Sequence, residues 1–323
     1  MDEPAQKDDS TFGIPHFRNL FGKRPKPVRV LYAGASHPGR VRRTNEDNFA
    51  IVRRRRTRDV LLTSLNADSL PESTDEAYVF VLADGMGGHA AGEIASQAAI
   101  EVAWQLGGTE LKWPMIHGQH ESLELESKLQ TYGKLIDQML RQMVDRNPNL
   151  EGMGTTFVAA YSFGLEVFVG NIGDSRAYIF RDHELLRLTR DHTLAEQLVE
   201  RGLMDADAPE VKQFSHILVN CLGGTADDAV AEIHHVTLRD GDVLLLCSDG
   251  LTDMVDDREI AALLDDRQSP TQAVDGLIDL ALEAGGDDNV TVVLGEYHAL
   301  VDHEDETETF NDTQFGNASG PDT

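Results

Sequence analysis

The sequence repeatedly runs an apolar segment into an aspartate. VFVLAD ends on Asp84, VFVGNIGD ends on Asp174, and VLLLCSDG reaches Asp249. Asp288 stands in GGDDNVTVV, directly before another apolar segment. An aspartate beside a buried strand lies at the rim of the core, where desolvation of its charge is costly. One such residue is usually a cap or a turn, but four in one chain indicate carboxylates that act together.

Carboxylates that lie close together repel one another and raise one another's pKa, and divalent cations remove that cost. A ligand set made only of oxygen atoms suits Mg²⁺ or Mn²⁺ better than Zn²⁺. The sequence contains no HExxH motif and no cysteine pair with zinc-ligand spacing. The pattern therefore predicts a magnesium or manganese site built from aspartates.

Each of these aspartates also has a purely structural interpretation. Asp84 is followed by Gly85 and a glycine pair, which let the backbone turn and expose a carbonyl oxygen as a ligand, or simply lead into a helix. Asp249 fits the N-cap of a helix over residues 250–265 equally well. Asp288 with Asn289 fits a plain turn.

A second group of polar residues lies near the start of the patterned region, in RRTNED. Glu46 and Asp47 close to Arg42 could form only a surface salt bridge. In a catalytic interpretation, Arg42 binds a substrate phosphate bidentately, while Glu46 and Asp47 hold metal-bound waters.

The elements that position these residues are apolar strands and a few long helices. Apolar, β-branched runs predict strands covered on both faces. They lie at residues 28–36, 78–84, 155–163, 165–174, 176–180, 242–249 and 289–297. Helices are predicted over 93–106 and over 127–146, where an apolar stripe at helical spacing indicates core packing. Regular βαβ alternation is absent, and the short turns between strands are compatible with antiparallel pairing, so we expect an α+β layered sandwich.

The chain divides into one patterned region and two irregular ends. We expect a flexible N-terminal segment at 1–28, one domain at 29–299, and an acidic disordered tail at 300–323. The basic cluster RRRRTR at 53–58 follows a strand-like run. We predict a solvated hairpin or loop there, with a docking site for an acidic partner as the alternative.

Composition excludes several classes of function. The net charge of −28, from 28 Lys+Arg and 56 Asp+Glu, disfavours binding to nucleic acid or to an anionic membrane. No run approaches the roughly 18 apolar residues that span a bilayer, and the acidic N-terminus lacks the order of a secretory signal. Cys221 and Cys247 stand in apolar surroundings, as buried free thiols do in a reducing compartment. We therefore predict a soluble cytoplasmic protein.

These motifs together resemble the metal-dependent serine/threonine protein phosphatases (the PPM, or type 2C, family). Seven blocks follow the family's order over about residues 30–297, and the GMGGHAAGE spelling resembles the bacterial branch. The blocks are RRTNEDN (42–48), ADGMGGHAAGE (83–93), GMGTTFVA (152–159), GNIGDSRAY (170–178), TRDHT (189–193), CSDGLTD (247–253) and GGDDNVTVV (285–293).

The resemblance implies a four-layer α-β-β-α sandwich, with two antiparallel sheets flanked by helix pairs. It also implies a dinuclear Mn²⁺ or Mg²⁺ centre at one end of this sandwich. Asp84 matches the bridging ligand and Gly85 supplies a carbonyl, while Asp249 and Asp288 match the remaining ligands of the first metal. Asp174 matches the ligand of a third, weaker ion that Asp249 shares.

The other matching residues surround that centre. Glu46 and Asp47 match acids that contact the second metal or its waters, and Arg42 matches the phosphate-binding arginine. The resemblance also implies that Thr155, Thr156 and Ser175 have a structural role around the centre. The implied activity is hydrolysis of phosphoserine and phosphothreonine by a metal-activated water. The implied partners are phosphorylated proteins that are substrates of a bacterial Ser/Thr kinase, whose action this chain would reverse. We expect the chain to be a monomer.

The sequence departs from the family at two places. Met86 replaces the histidine proposed as general acid in the eukaryotic branch, with His89 as a substitute candidate. The segment SHILVNCLGG at 215–224 lacks the arginines of many bacterial members, which leaves substrate preference open. Two alternatives therefore remain: a non-catalytic sensor or binding domain that keeps the fold, and a phosphatase for a small phosphoester.

Overall fold

Antiparallel strands form two sheets in a computed structural model, which describes residues 27–65, 73–87, 91–109, 119–206, 208–224 and 228–300. The first sheet has the order β1 (Val28–His37), β11 (Val290–Ala299), β10 (Val243–Cys247), β7 (Arg176–Arg181), β8 (Glu184–Arg187). The second has the order β2 (Asp47–Arg58), β3 (Ser73–Met86), β5 (Phe157–Phe163), β6 (Glu166–Ile172), β9 (Glu232–Thr237), with β4 (Gly154–Thr155) paired to β3.

The helices are α1 (Ala91–Thr109), α2 (Gln119–Arg146), α3 (Leu194–Glu200), α4 (Val211–Phe214), α5 (Asp249–Thr252), α6 (Asp257–Asp265) and α7 (Pro270–Glu283), with a 3₁₀ turn at Pro148–Leu150. Helices α6 and α7 cover the outer face of the first sheet, and α1 and α2 cover that of the second. No helix among the described residues combines the length and the apolarity needed to cross a bilayer.

Groups of buried side chains hold the layers together. Phe80, Leu244 and Val293 belong to the group between the two sheets. Leu245 packs with Leu277 of α7 on the outer face of the first sheet, and the α1 and α2 side chains pack on the second sheet around other buried residues. This arrangement confirms the predicted four-layer α-β-β-α sandwich. Strands such as β10 are buried along their whole length because helices cover one face and a sheet covers the other.

Strand ends converge at one end of the sandwich. Asp47 is the first residue of β2 and pairs with Asp84 near the end of β3. In the first sheet β10 ends two residues before Asp249, and β11 begins two residues after Asp288. Strand β6 ends two residues before Asp174. Antiparallel pairing therefore brings all five aspartates to one end of the two sheets.

Several local predictions were wrong. A continuous helix over 250–265 is not formed, because α5 ends at Thr252 and α6 begins anew after Asp256, whose side chain accepts from the Glu259 N–H in a capping box. The apolar stripe of α2 is only partly buried in the core. Ile136 and Leu140 are buried, but Leu135 and Met139 are 37% and 44% exposed. Sequence spacing marks one face of a helix but cannot say how far the neighbouring sheet extends over it.

The basic cluster at 53–58 lies in the last residues of β2, in a hairpin with β3. Most of its side chains are exposed. The structure thus places the cluster on an exposed hairpin strand and not in a loop. The predicted terminal segments before Pro27 and after Leu300 lie outside the described residues.

Candidate active site

Asp84 contacts carboxylates from both sheets. It follows the buried run of β3 in the second sheet and lies against Asp47 of β2 on one side. On its other side it lies against Asp249, which follows β10 of the first sheet. Burial raises the pKa of Asp84 well above its usual range, and the charges of Asp47 and Asp249 raise it further. The two sheets thus meet in a cluster of acids.

Hydroxyl groups fix the backbone around Asp84. Thr156 Oγ1 accepts from the Asp84 N–H at 3.0 Å, and the Asp84 carbonyl accepts from the Thr156 N–H at 2.9 Å. Thr155 Oγ1 donates to the same carbonyl at 2.8 Å, and Ser175 Oγ lies 2.7 Å from Thr156 Oγ1. All three hydroxyl residues are buried. Their role in the structure is to hold the strand end, as the resemblance implies.

The Asp47 carboxylate is held by the first sheet although it belongs to the second. Its Oδ2 accepts from Thr291 Oγ1 at 2.6 Å and from Ser248 Oγ at 2.9 Å. Asp47 is only 5% exposed, and burial raises its pKa to about 6 against the opposing effect of these two hydrogen bonds. Its Oδ1 is buried and has no hydrogen-bond partner among the described residues. A buried acceptor without a partner is rare in folded proteins, and a bound cation would satisfy it.

Asp249 lies at the start of α5, one residue after the position of the N-cap, Ser248. The N-cap interpretation of Asp249 was therefore wrong. Burial raises the pKa of Asp249 well above the usual range, and the charges of Asp174 and Asp253 raise it further. Its Oδ1 is also buried without a hydrogen-bond partner among the described residues. An unpaired, buried carboxylate oxygen is the feature expected where a cation belongs.

Asp174 joins the cluster from the loop after β6. It is 8% exposed, and burial together with the charge of Asp191 raises its pKa to about 7. The loop is held by His192, whose Nδ1 accepts from the Gly173 N–H at 3.1 Å. The same nitrogen lies 2.8 Å from Asn220 Nδ2. His192 therefore connects the Asp174 loop with the segment 215–224.

Arg42 lies at the exposed edge of the cluster. Its Nη2 donates to Asp288 Oδ2 at 2.6 Å, and the two side chains are 58% and 37% exposed. The salt bridge of this arginine is thus made with Asp288 and not with its sequence neighbours. Glu46 is half-buried, and burial raises its pKa while the charge of Arg42 opposes the shift. Asp288 Oδ1 accepts from the Asn289 N–H at 2.8 Å, so the predicted local turn is present as well.

Two glycines let helix α1 approach the acids closely. A Cβ on Gly85 would lie 2.2 Å from the Gly92 carbonyl oxygen, and a Cβ on Gly92 would lie 2.3 Å from Glu46 Oε2. No larger residue fits at either position without displacing the backbone or the carboxylate. Gly88 and His89, which follow Gly85 closely, lie outside the described residues.

The donor chemistry of this cluster fits Mn²⁺ or Mg²⁺. The available donors are carboxylate oxygens, two of them buried without hydrogen bonds, and their mutual repulsion is the cost that a cation removes. Within the described ranges, no three His, Cys, Asp or Glu side chains already stand in the arrangement of a metal site.

Sequence reasoning missed some residues that organise the site. Asn289 is buried and fixes three backbone groups: its Oδ1 accepts from the Glu46 N–H at 2.8 Å, and its Nδ2 donates to the carbonyls of Pro38 and Thr44. Asp253 directly follows α5, four residues after Asp249, and this helical spacing places the two aspartates on the same side of the turn. Burial raises the pKa of Asp253. Asn289 gave no sequence signal beyond its place in GGDDN, whereas Asp253 could have been predicted from its spacing to Asp249 in SDGLTD.

The fold and the site define an α-β-β-α sandwich protein with an acidic centre at one end of its sheets. The model of the family described as protein phosphatase 2C matches residues 63–283. The chain belongs to this family. It is 33% identical over 261 residues to the serine/threonine phosphatase stp of Listeria monocytogenes, covering 80% of this chain and 92% of that protein. The serine/threonine protein phosphatase PstP of Mycobacterium tuberculosis is 36% identical over 222 residues, covering 68% of this chain and 40% of that protein.

Solved structures show the same likeness. The catalytic domain of PstP, solved in complex with 2 manganese ions, is similar with a TM-score of 0.64 and 33% identity, covering 84% of this chain and 100% of that one. Stp1 from Staphylococcus aureus is similar with a TM-score of 0.68 and 30% identity, covering 85% and 97%. These likenesses confirm the family and the fold that the sequence motifs indicated.

Proposed function

We propose that this chain is a protein serine/threonine phosphatase that hydrolyses phosphoserine and phosphothreonine with Mn²⁺ or Mg²⁺ bound at the acidic centre. One observation carries the proposal: Asp84 lies against Asp47 and Asp249, carboxylates at or beside the ends of strands in different sheets, and burial together with their charges raises its pKa. Family membership and the two manganese ions of the PstP catalytic domain support the same conclusion.

The proposed ligands are the residues that the sequence motifs singled out. Asp84 would be a ligand of both ions, and Gly85 would supply a carbonyl oxygen. Glu46 and Asp47 would contact the second ion or its waters. Asp249 and Asp288 would complete the set of ligands of the first ion. Asp174 and Asp249 would share a third, more weakly bound ion. The support is the geometry described above, in which Thr155 and Thr156 hold Asp84 while Ser248 and Thr291 orient Asp47.

Bound divalent cations would supply an acidified water as nucleophile and would offset the negative charge of the phosphoryl group. The chain's own groups would bind and orient the substrate. Arg42 is exposed at the edge of the cluster and presents a planar guanidinium that can bind a phosphate bidentately. Cys221 and Cys247 are buried, and burial raises the pKa of both thiols, so neither is placed or ionised to act as a nucleophile.

We further propose that residues 29–299 form the phosphatase domain and that the chain acts as a cytoplasmic monomer on the substrates of a bacterial Ser/Thr kinase. The pairing of Arg29 with His298 supports the domain limits, because it joins the first and last strands along the chain within one sheet. The net charge of −28 supports a location away from anionic membranes and nucleic acid.

The test is hydrolysis of a phosphothreonine peptide with Mn²⁺, with EDTA, and in Asp249→Asn. Asp279→Asn, a matched change on the exposed face of α7, is the control. We expect activity that needs Mn²⁺, survives in the control and falls by more than about a hundredfold in Asp249→Asn. Turnover of metabolite phosphates without any phosphopeptide would favour a small-phosphoester phosphatase. Metal binding without turnover of either class would favour a non-catalytic domain.

A further inference from the structure

Helix α2 carries a buried carboxylate that does not belong to the acidic centre. Asp137 is only 1% exposed and follows the buried Ile136. Its Oδ2 accepts from Arg141 Nε at 2.8 Å, one helical turn further along on a partly exposed side chain. An ion pair at this spacing stabilises a helix only slightly, and burying a carboxylate is costly unless its oxygens have partners. The pair with Arg141 therefore does not explain why this charge lies in the core.

The other oxygen of the Asp137 carboxylate holds a distant segment of the chain. Asp137 Oδ1 accepts from the Gly223 N–H at 2.8 Å, across 86 residues of sequence. Gly223 is buried and has a φ of +76°, and a Cβ there would lie 3.2 Å from Leu140 Cβ and 3.2 Å from the Met153 carbonyl oxygen. The segment 215–224 thus passes close to α2 in a conformation that glycine favours. Asp137 supplies the acceptor that this buried N–H needs.

Gly223 is one residue away from a connection to the acidic centre. Leu222 and Thr155 form an isolated antiparallel bridge. The Thr155 N–H donates to the Leu222 carbonyl at 3.0 Å, and the Leu222 N–H donates to the Thr155 carbonyl at 2.9 Å. Thr155 also pairs with Gly85 of β3, and its Oγ1 donates to the Asp84 carbonyl at 2.8 Å. A series of hydrogen bonds between buried groups therefore runs from α2 to the aspartate at which the two sheets meet.

The first bond of this series depends on a charge. A hydrogen bond to a carboxylate is stronger than one between neutral groups, such as the bond from Thr155 Oγ1 to the Asp84 carbonyl. Loss of the carboxylate would leave the Gly223 N–H buried without its acceptor. The bridge at Leu222 is the nearest element that can give way, because it is a single bridge and not part of a longer ladder.

We propose that Asp137 is a positioning residue for the proposed metal centre. Through the bridge at Thr155, it fixes the backbone from which Asp84 and Gly85 would reach an ion. Asp137 lies on α2 and is not one of the proposed ligands, so its effect on the centre is indirect. Its effect on metal binding rests on the proposed function, whereas its effect on the backbone can be measured without metal.

The first measurement is amide hydrogen exchange of the full chain in EDTA, followed by NMR. The Thr155 amide, which donates to Leu222, should exchange about tenfold faster or more in Asp137→Ala, relative to the amides of β11. Using β11 as the reference removes the effect of a general loss of stability. An unchanged ratio between the two exchange rates in Asp137→Ala would overturn the proposal.

Asp242→Ala is the matched control for this measurement. Asp242 is also a buried carboxylate that pairs with an arginine, Arg181, and accepts from a backbone N–H, that of Arg239 at 2.6 Å. It directly precedes β10, however, at the end of the sandwich away from the acidic centre. The relative exchange rate of the Thr155 amide should therefore not change in Asp242→Ala. An equal increase in both variants would show a general effect of losing a buried charge and contradict the assigned role.

The second measurement is Mn²⁺ binding by isothermal titration calorimetry, on variants that circular dichroism shows to be folded. Asp137→Ala should raise the Kd for Mn²⁺ by about tenfold or more, as the loss of a group that supports metal ligands does. Asp137→Asn keeps an oxygen that can accept from the Gly223 N–H and should raise Kd less, and Asp242→Ala should leave it unchanged. Wild-type affinity in a folded Asp137→Ala variant would contradict the proposal. A wild-type chain that binds Mn²⁺ but hydrolyses no phosphopeptide would contradict the proposed function alone.

A double-mutant cycle tests the route through Thr155. Thr155→Val keeps the shape of the side chain and removes the hydroxyl that donates to the Asp84 carbonyl. If Asp137 acts through this residue, the double variant should bind Mn²⁺ about as weakly as the weaker of the two single variants. Losses of affinity that multiply in the double variant would show two independent effects and contradict the proposed route.

Discussion

Arg42 and Asp288 form an ion pair of 2.6 Å across 246 residues of sequence, at the exposed edge of the acidic centre. The arginine proposed to bind substrate phosphate thus holds an aspartate proposed to bind metal. Metal binding to Asp288 and phosphate binding to Arg42 both require this pair to separate. The two events are therefore expected to favour each other.

Arg42→Ala should raise KM for a phosphopeptide and lower kcat/KM by about tenfold or more, because a charge-assisted hydrogen bond contributes about 1.5–3 kcal/mol. It should also lower the Mn²⁺ concentration needed for half-maximal activity, since Asp288 loses its competing partner. Steady-state kinetics over a Mn²⁺ series measures both. Arg43→Ala, a neighbouring exposed arginine, should change neither value; equal effects of the two variants would show that only general surface charge is involved.

Asp249→Asn should stabilise the metal-free protein while removing most of its response to metal. The substitution deletes one charge from a buried cluster in which Asp174 and Asp253 raise the pKa of Asp249. Wild-type protein should gain several degrees in Tm on addition of Mn²⁺, because saturation at a hundred times Kd stabilises by about 2.7 kcal/mol. Thermal unfolding in EDTA and in Mn²⁺ measures both effects. A wild-type Tm that is the same with and without Mn²⁺ would argue against a metal centre at this site.

Gly92→Ala should disturb the site through Glu46. The new Cβ would lie 2.3 Å from Glu46 Oε2, so the carboxylate must move, and the Mn²⁺ requirement should rise several-fold. Gly108→Ala in the same helix is the control: its Cβ meets nothing, so activity should hold and stability should rise by up to about 1 kcal/mol. Identical metal titrations of the two variants would show that the position of Glu46 is unimportant.

His192 should make stability depend on pH. Burial lowers its pKa below 6.5, and its Nδ1 accepts a hydrogen bond that a protonated ring could not accept. Because the folded pKa is depressed, this contribution is complete above pH 6.5 and is lost as pH falls through the folded pKa. His192→Asn keeps an acceptor near Nδ1 and removes the titration, so its urea-unfolding free energy should vary less with pH over that interval. A slope equal to that of the wild type would assign the titration to another group.

Local patterns were sufficient for the strands, the long helices and the acids at strand ends. The apolar runs that end in Asp84 and Asp174 specify buried strands wherever they are placed, because their side chains have to leave water. The spacing of Ile136 and Leu140 likewise specifies one face of a helix. The interruption after Asp253 was missed because the capping box at Asp256 competes locally with the apolar period around it.

The sequence by itself determined which residues carry negative charge at the rim of the core and, through its ordered motifs, the family. The tertiary structure alone decided which of those charges touch. Asp84 meets Asp47 and Asp249 only because two separate sheets are stacked, and Arg42 meets Asp288 only because β1 and β11 pair along their whole length. Contacts between distant segments depend on packing in three dimensions, whereas local periodicity fixes only the faces that take part.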